Sequence, residues 1–505
     1  MRAPIRLALA AATVSALQIP LQLPFQLPGK TSGGPSADAL LVTSEALEER
    51  VSIENLQKRA EALYEIARLS TDEHGHPTRV IGSRGHLSTI DYIKSTLYSL
   101  GDYYNVSDQI FPAVSGNVYE AKLVIGNVVP NFTTMGLTPP TNNKQPVHGD
   151  LVLVHGLGCK PSDFPDTATG NILLIRRGEC PFGQKSELAG QAGAVAAVVV
   201  NSEKGEIHGT LGTPSPNHVA TFGLSGEAGE KFIKQLENGE ELDAIAYMDA
   251  DVNIIKTTNI IAQTTHGDPE NCVMLGGHSD SVAEGPGIND DGSGSLSVLE
   301  VAVQLSHYRV NNCVRFSWWS GEEEGLLGSN YYVASLSEEE NAKIRLFMDY
   351  DMMASPNFAY QVYNATDAAN PVGSEKLRDL YTAWYEKQGL NYSFIPFDGR
   401  SDYDGFIRHG IPAGGIATGA EGVKTKEEEA MFGGRAGEWY DPCYHQLCDD
   451  LHNLNATAWE VNTKLIAHSV ATFARSFEGF PSRTKGARAD GYAKTTKYRG
   501  HTLVM

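Results

Sequence analysis

The segment Gly276–Ser295, "GGHSDSVAEGPGINDDGSGS", lies between a predicted strand and a predicted helix. The strand is "NCVMLGGHSD", and the helix is "SGSLSVLEVAVQLSHY". The segment holds one histidine and three aspartates among Gly, Ser and Pro. Open α/β sheets bind ligands at the carboxyl ends of their strands, so this segment is the first candidate for a functional site.

Strands and helices continue to alternate over residues 254–477. Further strands are predicted at "NCVRFSWWS", "IRLFMDYDMM" and "GIPAGGIATG", and helices at "GLLGSNYYVASL", "SEKLRDLYTAWYEKQG" and "WEVNTKLIAHSVATFARSF". Two amphipathic helices precede them, in "SIENLQKRAEALYEIARLS" and "HLSTIDYIKSTLYSL". The pattern predicts the α/β class, with a mixed, mostly parallel sheet flanked by helices.

Residues 119–251 differ in composition and strand length from the segments on either side. They are rich in Gly and Val and contain short apolar strands, "LVLVHG", "NILLIRRG" and "AVAAVVVNS", with one helix in "CPFGQKSELAGQAGA". No chemistry is evident in this stretch. We predict a small β-rich domain at 119–251, inserted into a larger domain that comprises residues 44–118 and 252–480.

The composition is that of a globular protein with two or three domains: 505 residues, 41% of them hydrophobic and 20% charged. The net charge of -21 excludes the basic footprint of a nucleic-acid-binding protein. Beyond the N-terminus no apolar run is long enough to span a bilayer. We expect a soluble monomer without nucleic-acid partners or stable membrane insertion.

The N-terminus, "MRAPIRLALAAATVSALQ", has the form of a secretory signal peptide over residues 1–16. Cleavage is expected after Ala16, and a buried helix is the alternative. Residues 17–43 follow as a propeptide or a disordered segment. Residues 481–505 are basic and poor in large apolar side chains, which predicts a flexible tail, with membrane-surface contact as the alternative.

Sequons and cysteines agree with a secretory route. N-glycosylation sequons occur at Asn105, Asn131, Asn364, Asn391 and Asn455. The six cysteines form no CxxC pair that would indicate zinc, so disulfides are the better interpretation in an oxidising compartment. We expect the protein to be secreted, with the vacuolar lumen as the second choice.

Candidate catalytic residues begin at the end of the first strand. His278 is followed by Asp280, whose carboxylate could accept the other imidazole N–H and fix the tautomer. Asp290 and Asp291 follow in a Gly-rich loop, where an acid could cap the next helix or a carboxylate could bridge two cations. A helix cap needs one acid and no nearby histidine, so capping does not explain the second aspartate or His278.

The next two strands also end in acids. Glu322, Glu323 and Glu324 follow one strand; a solvated helix start is one interpretation, and a division of roles between a metal ligand and a free general base is the other. Asp351 ends the following strand, where an unpaired charge would be costly.

A second histidine, His445, lies in "DPCYHQLCDD", a tight loop that a disulfide between Cys443 and Cys448 could close. Two histidines and three acids as ligands, with one free acid, suit two zinc ions. Such a pair can polarise a carbonyl and activate a shared water. The sequence thus predicts hydrolase chemistry with two Zn2+ per chain.

These motifs resemble those of the di-zinc aminopeptidases of the aminopeptidase Y and fungal secreted leucine aminopeptidase type. The similarity rests on "GGHSDSVAEGPGINDDGSGS", "FSWWSGEEEGLLGSNYYV", "DYDMMASPN", "FDGRSDYDGF" and "DPCYHQLCD". The stretch "GLGCKPSDFPDTATGNILLIRRGECPFGQKSELAGQAGAVAAVVVN" resembles the protease-associated (PA) domain, a binding or lid module. The resemblance implies the zinc exopeptidase fold and removal of N-terminal residues, leucine or other apolar ones, from peptides and proteins.

The resemblance also implies a role for each candidate ligand. His278 and Asp351 match ligands of one zinc. Glu323 and His445 match ligands of the second, and Asp290 matches the bridging carboxylate.

Three further residues match positions that act on the substrate. Glu322 matches the general base, Tyr444 a residue that hydrogen-bonds the tetrahedral oxyanion, and Arg400 a position near the substrate. Acidic side chains at the closed end of the pocket should meet the substrate's α-amino group.

Some features lie outside the motifs. Asp349 and Glu324 are acids where relatives commonly carry Asn and an apolar or aromatic residue; Asp349 could perturb nearby pKa values or face solvent. Cys272 and Cys313 open successive strands, so a disulfide joins them if those strands are neighbours. A bridge between Cys159 and Cys180 would close the inserted domain.

Other functions remain to be distinguished from an aminopeptidase. A carboxypeptidase of the same fold should offer basic residues to a substrate carboxylate, and a glutaminyl cyclase would use one zinc. A receptor-like protein that kept the fold and lost the chemistry would show broken ligand positions, whereas here every one is intact.

Overall fold

The computed structural model describes residues 39–202, 204–207 and 209–483. The predicted signal peptide and most of the predicted tail lie outside the described residues. The strands are β1 (Tyr104–Ile125), β2 (Thr133–Thr134), β3 (Val147–Leu153), β4 (Ile172–Arg176), β5 (Ala196–Val200), β6 (Thr221–Leu224), β7 (Asp243–Thr264), β8 (Asp268–His278), β9 (Asn312–Trp319), β10 (Ile344–Tyr350), β11 (Gln361–Tyr363), β12 (Ser393–Ile395) and β13 (Ala413–Ala417). The α-helices are α1 (Ser44–Glu48), α2 (Ile53–Ala67), α3 (Thr71–His74), α4 (Arg84–Tyr98), α5 (Phe182–Gln191), α6 (Gly226–Glu237), α7 (Gly292–Leu305), α8 (Leu327–Ser335), α9 (Glu338–Lys343), α10 (Ser374–Lys387), α11 (Tyr403–Arg408), α12 (Lys426–Phe432) and α13 (Ala456–Arg475).

The strands form a continuous sheet in the order β12-β11-β13-β10-β8-β9-β7-β3-β4-β5-β6-β2, with β1 paired to β7. Strands β8, β9, β10 and β13 are parallel to their neighbours in this group. The β7–β9, β1–β7 and β11–β13 pairs are antiparallel, so the sheet is mixed. The predicted fold class, a mostly parallel sheet flanked by helices, is confirmed.

The chain has two main hydrophobic cores, one for each predicted domain. The larger core gathers strands β8–β10 with helices α2, α7, α10 and α13 around buried Trp318, Trp459 and Tyr381. The smaller one packs strands β3–β6 against α6, with Phe222 and Ile233 at its centre. Each domain therefore buries its own apolar surface.

The connection between the domains is a long two-stranded ribbon and contains no linker. Strands β1 and β7 each run for 22 residues and pair antiparallel along nearly their whole length. The boundaries predicted at 118/119 and 251/252 fall inside this ribbon, beside a register shift at Val118 and Glu120. The inserted domain is thus an extension of the catalytic domain's own sheet.

Both ends of the described chain are better ordered than the sequence indicated. Val42, in the segment predicted to be a propeptide or disordered, is fully buried, and Leu41 bridges to Arg309. At the other end, the Arg483 guanidinium donates to the carbonyls of Ile344 and Gly410. The predictions of disorder at 39–43 and of a flexible tail at 481–483 are therefore wrong for those residues.

The structure contains the three disulfides considered from the sequence: Cys159–Cys180, Cys272–Cys313 and Cys443–Cys448. Strands β8 and β9 are parallel neighbours in which Cys272 is in register with Cys313, which satisfies the condition set for that bridge. Among the described residues, no helix is long and apolar enough to cross a membrane.

Candidate metal centre and active site

Three neighbouring parallel strands deliver the candidate residues to one edge of the sheet. His278 is the last residue of β8, Glu322 lies three residues after β9, and Asp351 directly follows β10. Because parallel strands end at the same edge, residues far apart in sequence converge there. The predicted placement of these side chains at strand ends is confirmed.

Asp290 lies between the two histidines, and each of its carboxylate oxygens is close to a different one. Its Oδ1 is 3.3 Å from His278 Nε2, and its Oδ2 is 3.2 Å from His445 Nε2. Asp351 Oδ1 lies 3.8 Å from His278 Nε2, while Glu323 Oε2 lies 3.1 Å from His445 Nε2. The two histidines thus share Asp290. His445 has Glu323 as a further neighbour, and His278 has carboxylate oxygens of Asp280, Glu322 and Asp351 at 3.7, 3.9 and 3.8 Å.

Asp291, next in the chain, has a different task. It caps helix α7: its Oδ1 accepts the N–H groups of Gly294 at 2.9 Å and Met352 at 3.1 Å. Its Oδ2 accepts the N–H of His278 at 3.0 Å. Asp291 is also close enough to His278 and Asp351 to share a cation, since one donor atom of each lies within 4.8 Å of the others. We assign Asp291 a structural role, because backbone N–H groups already occupy both oxygens, whereas those of Asp290 face the imidazoles.

Asp280 is placed differently from the sequence expectation. Its Oδ1 lies 3.7 Å from His278 Nδ1, beyond hydrogen-bond distance. The carboxylate instead accepts the N–H of Gly321 at 2.9 Å and that of Glu323 at 3.3 Å. Asp280 therefore fixes the loop that carries Glu322 and Glu323, and stands beside the imidazole without bonding it.

The cluster has the properties of a cation site. Four buried donor atoms have no hydrogen-bond partner: His278 Nδ1 and Nε2, Glu323 Oε1 and Asp351 Oδ1. Although burial acts to lower the pKa of His278 and of His445, the surrounding carboxylates raise both well above the usual value. This converging negative charge favours bound cations, and imidazole with carboxylate donors fits zinc.

Glu322 lies almost as close to His278 as Asp351 does. Its Oε2 is 3.9 Å from His278 Nε2, and only 3% of the residue is exposed. Burial raises the pKa of Glu322 well above its usual value, against the opposing effect of His278 and with the help of Glu323 and Asp351. A buried carboxyl group at the edge of the cavity is placed to take part in proton transfer.

A cavity of about 430 Å³ opens beside the cluster. Its polar end is formed by Glu322, Asp351, Tyr444 and His445. Its other walls mix apolar residues, among them Met352, Phe394 and Val423, with charged ones such as Asp398 and Glu428. The volume is in the range of small-ligand pockets.

Arg400, predicted to lie near the substrate, lines this cavity and is held in place by a carboxylate that the sequence analysis missed. Glu421 forms a bidentate pair with Arg400, at 2.9 and 3.0 Å. Arg400 Nη2 donates to the Tyr444 hydroxyl at 3.2 Å. The Tyr444 ring stacks on His445 with 3.8 Å between centroids, which fixes the hydroxyl at the rim of the cluster.

Two further residues, which no sequence motif singled out, organise the loops. Arg79, fully buried, donates from Nε to the carbonyl of Pro286 at 2.8 Å and from Nη1 and Nη2 to the carbonyls of Ser279 and Gly287. Asp449, which follows the Cys443–Cys448 hairpin, accepts the N–H of Asp290 at 3.0 Å. Both tie the segment 279–290 to distant parts of the chain.

Replacement of Arg79 by methionine is expected to destabilise the fold by about 3–5 kcal/mol, because three backbone carbonyls and several carboxylates lose a buried cation. The measurement is the shift of the urea unfolding midpoint at saturating zinc. Arg84→Met is the matched control: Arg84 is exposed and pairs with Glu73, so a change within about 0.5 kcal/mol is expected. Equal shifts for the two variants would contradict the role given to Arg79.

The two unusual acids have different environments. Asp349 is 1% exposed, and burial, with a contribution from Asp402, raises its pKa well above the usual value. The suggestion that it faces solvent is therefore wrong. Glu324 lines a second cavity, between the two domains.

Comparisons with known proteins identify the family of the chain and its inserted domain. The model of peptidase family M28 matches residues 259–470, and the PA domain model matches residues 147–232. Aminopeptidase Y of Saccharomyces cerevisiae is 51% identical over 453 residues, which cover 88% of this chain and 82% of the relative. Leucine aminopeptidase 2 of Trichophyton equinum is 40% identical and covers 92% of this chain and 94% of the relative.

A solved structure shows the same architecture. The aminopeptidase from Aneurinibacillus sp. strain AM-1 superposes with a TM-score of 0.70 at 27% identity, covering 86% of this chain and 96% of that one. The family models, the relatives that match most of the chain and the shared fold all indicate the same family. The chain belongs to peptidase family M28, carries a PA domain, and is a metalloaminopeptidase.

Proposed function

We propose that the enzyme removes leucine and other apolar residues from the N-termini of peptides and proteins, with two zinc ions in the active site. The observation that carries the proposal is the position of Asp290 between His278 and His445, with one carboxylate oxygen toward each. His278, Asp290 and Asp351 would hold one ion. Asp290, Glu323 and His445 would hold the other.

When bound, a zinc pair supplies an acidified water and polarises the peptide carbonyl. The chain's own residues account for the proton transfers. Glu322 would take a proton from the attacking water on Oε2 and give it to the amine that leaves as the C–N bond breaks. One water is consumed, and a free amino acid and a shortened peptide are released.

Tyr444 would donate its hydroxyl hydrogen to the developing oxyanion. Because Arg400 donates to the Tyr444 oxygen, the hydrogen of that hydroxyl is directed away from the guanidinium. Glu421 anchors Arg400 and so fixes this direction. Glu421 and Arg400 therefore act together to position the Tyr444 hydroxyl.

The preference for an apolar first residue rests on the cavity walls. Met352, Phe394 and Val423 offer apolar surface beside the polar cluster. Relatives that carry "leucine aminopeptidase" in their names support the same choice.

Paired substrates test the activity. Leu-p-nitroanilide should be hydrolysed and its N-acetylated form should resist, since acetylation removes the charged amine. A chelator should abolish hydrolysis, and added zinc should restore it. Cleavage of the acetylated substrate at a similar rate, or activity that persists after metal removal, would refute the proposal.

We also propose that the enzyme passes through the secretory route. Three disulfides are consistent with an oxidising compartment. Four sequon asparagines, Asn105, Asn131, Asn364 and Asn391, are exposed, whereas Asn455 is half-buried and caps helix α13. Recovery from the culture medium of a glycosylated protein that begins after Ala16 would support this; an intact Met1 terminus on intracellular protein would oppose it.

A further inference from the structure

The candidate ligands Glu323 and His445 border two separate cavities. One is the cavity of about 430 Å³ already described. The other, of about 370 Å³, lies where the PA domain meets the catalytic domain, and we call it the interdomain cleft. The metal cluster is therefore reachable from two sides, and each side is large enough for a ligand group.

The lining of the interdomain cleft comes from both domains. On the PA side it consists of Phe132, Thr133, Thr134, Gly136, Leu137, Gly209 and Thr210. Strand β2 is part of this lining and is the last strand of the sheet, paired with β6 alone among the described strands. Its outer edge is partly covered, because Gly136, just after β2, exchanges backbone hydrogen bonds with Gly209 and Leu211. Thr133 and Thr134 of β2 line the cleft beside this covered edge.

An aminopeptidase substrate has one residue before the cleaved bond and the whole remaining chain after it. The interdomain cleft borders the same two candidate ligands, Glu323 and His445, as the cavity of about 430 Å³. With the first side chain in that cavity, the cleft offers room for the chain beyond the cleaved bond.

The charge of the cleft is one-sided. Its described ionisable lining residues are His445, Glu284, Glu323 and Glu324, with neither Lys nor Arg among them. Because Glu323 and His445 are candidate zinc ligands, Glu284 and Glu324 are the acids left to meet a substrate side chain. Glu284 is exposed and is not a candidate ligand. It lies next to Gly285, which packs against the backbone of Gln446, so the Glu284 backbone is close to the His445 loop.

We propose that the interdomain cleft binds the substrate's second and third residues and that Glu284 makes it favour basic over acidic residues there. This inference rests on the proposed aminopeptidase function and adds the class of polypeptide that it prefers. The PA domain is then part of the substrate-binding surface.

The test compares kcat/KM for Leu-Lys-Lys-Ala and Leu-Glu-Glu-Ala. The wild-type enzyme should prefer the first, and Glu284→Lys should lower that ratio roughly three- to tenfold, since exposed charge pairs are worth little individually. Glu241→Lys, an equal charge reversal on the exposed PA surface away from the cleft lining, should leave the ratio unchanged. A ratio that Glu284→Lys does not alter would overturn the assignment.

A second variant tests the path of the chain. Thr134→Trp places a bulky ring in the cleft and should reduce kcat/KM for both tetrapeptides about tenfold relative to Leu-p-nitroanilide, which lacks a peptide chain after the cleaved bond. An equal reduction for all three substrates would contradict the proposed path. If the wild-type enzyme failed to hydrolyse Leu-p-nitroanilide, the proposed function itself would fall, which is a different result.

Discussion

Glu322→Gln is expected to lower kcat for Leu-p-nitroanilide by about 10²–10⁴-fold, the usual contribution of a positioned general base. The amide keeps the size of the side chain but cannot accept and return a proton. Glu322 is not among the candidate ligands, so the variant should retain the metal content of the wild-type enzyme.

The measurement therefore combines steady-state kinetics with metal analysis of the same preparation. Glu338→Gln, on the exposed first turn of α9, is the matched control and should change neither quantity. Near-normal turnover by Glu322→Gln would mean that another group carries the proton. Loss of metal with loss of activity would instead place Glu322 among the ligands.

Asp290→Ala is expected to abolish turnover and to weaken the binding of both zinc ions by more than roughly 100-fold, beyond the effect typical of residues behind the ligands. The physical reason is that Asp290 has one carboxylate oxygen 3.3 Å from His278 and the other 3.2 Å from His445. Its backbone N–H, bonded to Asp449, is untouched by the substitution, so the loop keeps its anchor.

Thermal unfolding provides a readout independent of activity. A ligand at about 100 times its Kd stabilises the folded state by about 2.7 kcal/mol, so zinc should raise the Tm of the chelated wild-type protein. The Tm of Asp290→Ala should respond little to the same zinc. Asp91→Ala, an exposed change on α4, should respond like the wild type. A full zinc response in Asp290→Ala would show that Asp290 is not a shared ligand.

The sequence predicts the part of this site that depends on local pattern. Alternating strands and helices along the chain predict parallel strands. Because parallel strands end at the same edge of a sheet, His278, Glu322 and Asp351 come together there. The tight spacing of Cys443 and Cys448 likewise indicates the loop that carries His445.

The supporting interactions could not be predicted, because they join residues far apart in the chain. Arg79 binds carbonyls some 200 positions away, at Ser279 and Pro286, and backbone carbonyls leave no signal in side-chain periodicity. The domain boundaries were also beyond reach, since β1 and β7 continue through them without the Pro- or Gly-rich linker that would mark a border. Asp280 shows the limit of spacing arguments: it follows His278 by two residues yet bonds the Glu322 loop.

The central claim is a centre of two metal ions that share Asp290. Its most direct test is to titrate the chelated enzyme with zinc while following both bound metal per chain and hydrolysis of Leu-p-nitroanilide. The account predicts that binding saturates at two zinc ions per chain and that full activity requires the second. Saturation of binding and activity at one ion per chain would contradict it.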